Sequence, residues 1–162
     1  MASLEGNISK IQLKRISHVY YTHSASSIAK QKEFLANFGF FECKSSSPHS
    51  DRTYYRGYGV DPWVYCLTEG SENKFGGAGF VVESLKDLEY AAKTLPGATD
   101  IYELKDAPGG GKCVTFKDPV DGWPMHLVWG QEEGKLEDSP SLVKRNYNFV
   151  SRHPRAIMQI LV

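Results

Sequence analysis

The sequence predicts an α+β fold in which one unit is used twice, and three observations predict it. β-Branched and aromatic runs, punctuated by glycine and serine, alternate with two amphipathic stretches of helical period. The order strand-helix-strand-strand-strand occurs and then recurs with a period of about 60 residues. Both helices carry serine caps at their starts and glycine at their ends.

The elements follow in order. Residues 15 to 22, Arg-Ile-Ser-His-Val-Tyr-Tyr-Thr, read as a strand. Ser26 and Ser27 supply N-cap chemistry to a helix whose apolar positions are Ile28, Phe34, Leu35 and Phe38, and Gly39 ends it. Strands are expected at residues 40 to 44, 53 to 58 and 63 to 68, with a polar loop at 45 to 50. The second unit opens with Gly-Gly-Ala-Gly-Phe-Val-Val at 76 to 82. Ser84 and Asp87 resemble a capping box for a helix bearing Leu85, Leu88, Ala91, Ala92 and Leu95, and Pro96-Gly97 stops it. Strands are then expected at residues 100 to 104, 113 to 117 and 125 to 129. Between them lie two turns, Pro108 to Gly111 and Asp118-Pro119-Val120-Asp121-Gly122. The expected divisions are an extension at 1 to 11, modules at 12 to 74 and 75 to 130, and a C-terminal extension at 131 to 162. The apolar end of that extension, Ala156 to Val162, is expected to dock on the domain or on a second copy.

Composition narrows the function. The 162 residues are 41% hydrophobic, enough for one core of ordinary size. Nineteen basic residues balance nineteen acidic ones, so no net field draws nucleic acid or an anionic membrane. No apolar run approaches the roughly 20 residues of a membrane span. Cys43, Cys66 and Cys113 lie far apart with no CxxC pair, which fits reduced thiols in the cytoplasm.

Two β-α-β-β-β modules, a histidine in the opening strand and Asp-Pro-x-Asp-Gly before the last strand resemble the vicinal oxygen chelate superfamily. That group holds glyoxalase I, bleomycin-resistance proteins and type I extradiol dioxygenases. The strongest likeness is to the N-terminal half of fungal catechol 2,3-dioxygenase-like proteins. It is carried by Tyr55-Arg56-Gly57-Tyr58-Gly59-Val60-Asp61-Pro62, Phe75 to Glu83 and Asp118 to Trp129, and it covers about residues 12 to 130. The resemblance implies a mixed sheet curled into a cup with helices outside, and a homodimer. It implies metal ligands at four places, the first and last strands of both modules. Here those places hold His18, Val64, Gly77 and His126, the last where the family has Glu.

His18 and His126 are therefore the candidate catalytic and metal-ligating residues. Strand alternation sets Ile16, His18, Tyr20 and Thr22 on one face and Val19 and Tyr21 on the other. His126 and Val128 face away from Met125, Leu127 and Trp129, so both imidazoles are expected inside the cup. Two imidazoles suit a divalent metal such as Fe(II), but Val64 and Gly77 supply no third ligand, and Glu69 and Glu103 sit at no family ligand position. Without metal, the pair suits proton transfer to or from an acidic phenol or an activated C–H. The alternative is that both are hydrogen-bonded cup-lining residues left from a metal-binding ancestor.

Tyr20, Tyr54, Tyr55, Tyr58, Tyr65 and Trp123 are candidate walls, half of them facing inward by alternation. Gly77 and Gly79 either leave room for a bulky ligand or mark a bulge or close strand packing. Arg56 and His49 are candidates for a carboxylate or phenolate at the rim. Cys66 is expected to enter the cup as a buried thiol, and His23 to lie exposed on a loop. The substrate-binding set is thus Tyr20, Tyr54, Arg56, Cys66 and Trp123. Pro108 to Lys112 precedes a strand and lacks Walker spacing, so it is not a phosphate loop but a flap near the cup mouth. The expected function is an enzyme acting on an aromatic, polyketide-like or catechol-like small molecule. The alternatives are a protein that sequesters such a compound and a ligand-free scaffold.

Overall fold

The computed structural model describes residues 11–43 and 51–134. In chain order the elements are β1 (Leu13–Ser24), α1 (Ala25–Asn37), β2 (Phe41–Cys43), β3 (Arg52–Arg56) and β4 (Tyr65–Gly70). The second set is β5 (Lys74–Val82), α2 (Leu85–Thr94), β6 (Tyr102–Glu103), β7 (Lys112–Lys117) and β8 (Pro124–Trp129). All eight strands join one curled mixed sheet in the order β2-β3-β4-β1-β5-β8-β7-β6. Each unit has the same wiring. Its first strand pairs in parallel with its last, reached through the helix, and the two first strands meet antiparallel at the centre. Among the described residues, no helix is long and apolar enough to cross a membrane.

Two faces of the sheet are buried differently. On the convex face, α1 sets Leu35 against Tyr55, Tyr65 and Leu67. There α2 sets Leu88 and Ala91 against Val82, Val114 and Leu127. The concave face holds Tyr54, Trp63, Cys66, Leu104, Ala107, Cys113 and Val128, with Tyr20 packed against them.

Local chemistry accounts for the element ends. Ser84 N–H and Oγ both bond the Asp87 carboxylate, at 2.9 and 2.6 Å, so the expected capping pair fixes the start of α2. At the other helix the cap is Ser24, earlier than the expected Ser26 and Ser27. Asn73 Oδ1 accepts from Ser24 N–H at 2.9 Å and from the Ser27 hydroxyl at 2.6 Å, which pulls the β4–β5 turn onto the helix start. Gly39, at φ +86°, lets the chain leave α1 in the left-handed region. The Asp118 carboxylate accepts the N–H groups of Val120, Asp121 and Trp123, holding the Asp-Pro-x-Asp-Gly turn before β8.

Candidate functional site

β-Bulges position the two histidines. Between Ile16 and His18, β1 takes two residues where β5 takes one, so Ser17 is the extra residue. The kink brings Ser17 Oγ to 2.8 Å from His18 Nδ1. Between Tyr20 and Tyr21 the mismatch reverses and Gly76 is the extra residue of β5. Its carbonyl, outside the ladder, lies 3.0 Å from Nε2 of His126. In register, Gly79 stands between the histidines, paired with His18 on one side and His126 on the other.

Both imidazoles lie on the concave face, and both are packed. His18 is 1% exposed, with its ring 3.8 Å from the fully buried ring of Trp63. Tyr20 stands between the histidines, at 5.0 Å from His18 and 4.7 Å from His126, centroid to centroid. A carbonyl only accepts, so His126 carries its proton on Nε2 and donates it to Gly76. Nδ1 therefore accepts from the Thr115 hydroxyl at 2.8 Å, which in turn accepts from the Tyr102 hydroxyl at 2.7 Å. Neither ring nitrogen of His126 is free. On His18, the Ser17 hydroxyl donates to Gln131 Oε1, so Nδ1–H donates to Ser17. Nε2 is left as a buried atom without a partner.

The electrostatics follow from this packing. Burial pushes the His18 imidazole down to about 3, assisted by the neighbouring His126. Burial also lowers His126, against the opposing pull of the Gly76 carbonyl. Both rings are neutral at physiological pH. Burial raises the Tyr20 and Tyr54 phenols well above the usual range and pushes the Cys66 thiol up to about 12, so none ionises readily.

Of the two readings of the glycines, close packing holds and added room for a ligand does not. A Cβ built on Gly79 would fall 2.7 Å from Cδ2 of His18, and one on Gly77 would fall 2.6 Å from Nε2 of His126. The missing side chains thus make space for the imidazoles themselves. Gly77 also sits at φ +116°, where a side chain is strained.

The other expected residues separate. Tyr20, Tyr54 and Cys66 do face the concave side. Trp123 is 44% exposed on the β7–β8 turn, packed on Phe75 and outside the cup. Arg56 donates to the Gly59 carbonyl and lies over the Phe41 ring, away from the histidines. The sequence reading missed Arg52, whose guanidinium lies 5.9 Å from the centre of Tyr20 and 3.5 Å from Asp106. Asp106 also accepts from the Tyr54 hydroxyl at 2.9 Å. Its loop, residues 104 to 111, sends Leu104 and Ala107 into the concave core and lays Gly109 against Pro62. His23 is a correction: β1 runs on to Ser24, and His23 is buried with Nε2 2.7 Å from the Tyr65 hydroxyl. His49 and Ala156 to Val162 lie outside the described residues.

The donor set does not fit a metal. Val64 and Gly77 hold no ligand atom, both nitrogens of His126 are engaged, and no described cluster gathers three His, Cys, Asp or Glu side chains. Two hollows of about 370 and 290 Å³ are lined by other side chains and include neither His18 nor His126.

No protein-family model and no curated protein matches the chain. Solved structures do. The Mn(II)-bound glyoxalase from Novosphingobium aromaticivorans superposes with a TM-score of 0.64 at 18% identity, over 77% of this chain and 42% of that one. Homoprotocatechuate 2,3-dioxygenase from Arthrobacter globiformis gives 0.62 at 16%, over 76% and 38%. The Brevibacterium fuscum enzyme complexed with 3,4-dihydroxyphenylacetate gives 0.61 at 18%, over 77% and 39%. The chain spans about two fifths of the length of these structures. They are members of the vicinal oxygen chelate superfamily, and their fold is the fold of this chain.

Proposed function

We propose, from the vicinal oxygen chelate fold, that this chain is a paired βαβββ unit of a glyoxalase- or dioxygenase-like small-molecule enzyme. In this unit the cup is kept shut as a core. The span of about two fifths of each matched enzyme supports the first half of this reading. One observation carries the second: Trp63, fully buried in the concave core, lies with its ring 3.8 Å from that of His18. His18 and His126 then stabilise the unit rather than act on a ligand. The test is to equilibrate the full chain with Mn(II) or Fe(II) and measure retained metal and Tm. Little retained metal and an unmoved Tm are expected. One tightly held ion per chain, lost in His18→Ala, would overturn the reading.

A second reading is favoured by the unpartnered Nε2 of His18, a buried proton acceptor facing the cup side of the sheet. With Trp63 displaced, His18 and His126 would serve as base and acid toward a catechol-like phenol held by Tyr20, Tyr54 and Cys66. That reading requires a catechol to be consumed by the full chain and His126→Ala to abolish its turnover. Unchanged turnover would remove His126 from the chemistry.

A further inference from the structure

The two helices cover the convex face incompletely. α1 packs on β1, β3 and β4, and α2 packs on β5, β7 and β8, so the β1–β5 seam between the two units is bare at one end. There the Ser27, Lys30, Gln31 and Phe34 face of α1 stands beside Tyr21, His23 and Phe75. Ser27, Lys30, Gln31 and Phe34 follow the i, i+3, i+4, i+7 spacing of one helix face, while Tyr21 and His23 share one strand face. Together they enclose a groove of about 370 Å³, within the range of small-ligand sites.

Three features of the groove agree in their chemistry. Its walls are aromatic: Phe75 lies 5.2 Å from Tyr21, and Phe34 is half exposed. Its charge has one sign, because Lys30 and Lys74 line it, no acidic residue does, and neither lysine has an ion-pair partner among the described residues. Its floor is a hydrogen-bonding group. Tyr65 bonds Nε2 of His23 at 2.7 Å and accepts from Gln31 at 3.4 Å. Nδ1 of His23 has no partner among the described residues, yet it is not sealed from solvent. We infer that this groove binds a small aromatic carboxylate, its ring between Tyr21, Phe34 and Phe75 and its carboxylate toward Lys30 and Lys74. The site is on the opposite face of the sheet from the histidine cup and does not rest on how the cup is read.

The test uses 2-naphthoate as the probe on ¹⁵N-labelled full chain, followed by amide and imidazole shifts. Saturable shifts centred on His23, Gln31 and Phe75 are expected. The neutral 2-naphthamide should bind about fivefold more weakly, as should 2-naphthoate to the Lys30→Glu/Lys74→Glu variant. Both lysines are exposed, so that variant should keep its Tm. Phe34→Ala, also at an exposed position, should weaken both probes alike. Absence of saturation, shifts centred on His18 and His126 instead, or equal affinity of acid and amide would each overturn the inference.

Discussion

The imidazole of His18 fills the space that a side chain on Gly79 would take, and the two residues are direct partners across β1 and β5. His126 likewise fills the space that a side chain on Gly77 would take, although its direct partner across β5 and β8 is Gly79. A histidine that looks like a ligand from its strand position is thus half of a fitted pair whose other half is a missing side chain. Gly79→Ala should destabilise the protein by about 1–3 kcal/mol through overpacking. In the His18→Ala background most of that penalty should vanish, because the clashing ring is gone. Chemical unfolding of the four species gives the coupling directly, and additive effects would show that the pair does not interact.

Stability should fall with acid in a way these rings govern. Folded His18 holds its pKa near 3, and His126 is lowered too, whereas both are ordinary imidazoles at 6.5 when unfolded. Below 6.5 the unfolded chain therefore binds more protons than the folded one. The stabilisation is complete above that pH and drains as pH falls, by up to about 1.4 kcal/mol per unit for each ring. The measurement is the unfolding free energy from pH 7.5 to 4.5. His18→Asn should show a shallower decline than the parent, and an identical slope would contradict the burial account.

Trp63→Ala should cost about 3–5 kcal/mol, the range for emptying a buried aromatic site. Trp63 touches His18, Tyr20 and Tyr54, so the loss should be accompanied by faster amide exchange on the concave strands. A loss below about 1 kcal/mol would mean that Trp63 is not a core residue.

The loop over the cup is tied across the two units by Asp106, which meets Arg52 and the Tyr54 hydroxyl. Arg52 and Asp106 are partly solvated, so Asp106→Ala should lower global stability by only about 0.5–1 kcal/mol. Locally the effect should be larger, with amide exchange accelerating from Leu104 to Gly111 while the β1–β5 seam is unchanged. Uniform acceleration everywhere would remove the loop-specific role.

What could be read from the sequence was local or periodic. Alternation put Val19, Tyr21, Leu127 and Trp129 on the helix side and His18 and His126 on the other, and that division appears in the packing. Ser84 and Asp87 announced their cap because the two ends of the bond are three residues apart. Trp63 gave no such signal: it lies before β4, and its role depends on meeting His18 from 45 residues away. The fit of each histidine to a glycine needs the register of β1, β5 and β8, including two bulges that spacing does not reveal. His23 was misplaced for a similar reason. β1 extends two residues past the run that marks it, and Tyr65, far along the chain, supplies its partner. Arg52 and Arg56 are equivalent by alternation on β3, and only the loop carrying Asp106 decides which of them caps the cup.

The central claim, that the concave face is a closed core around neutral imidazoles, is tested most directly by ¹⁵N NMR of the histidine side chains. Nε2 of His126 should read as protonated and Nδ1 as an acceptor at pH 8, with His18 unchanged from pH 8 to pH 5, His126 titrating below 6.5, and neither ring shifting on addition of Zn(II). Either ring titrating near 6.5, or shifting when Zn(II) is added, would show that the cup is open and the account is wrong.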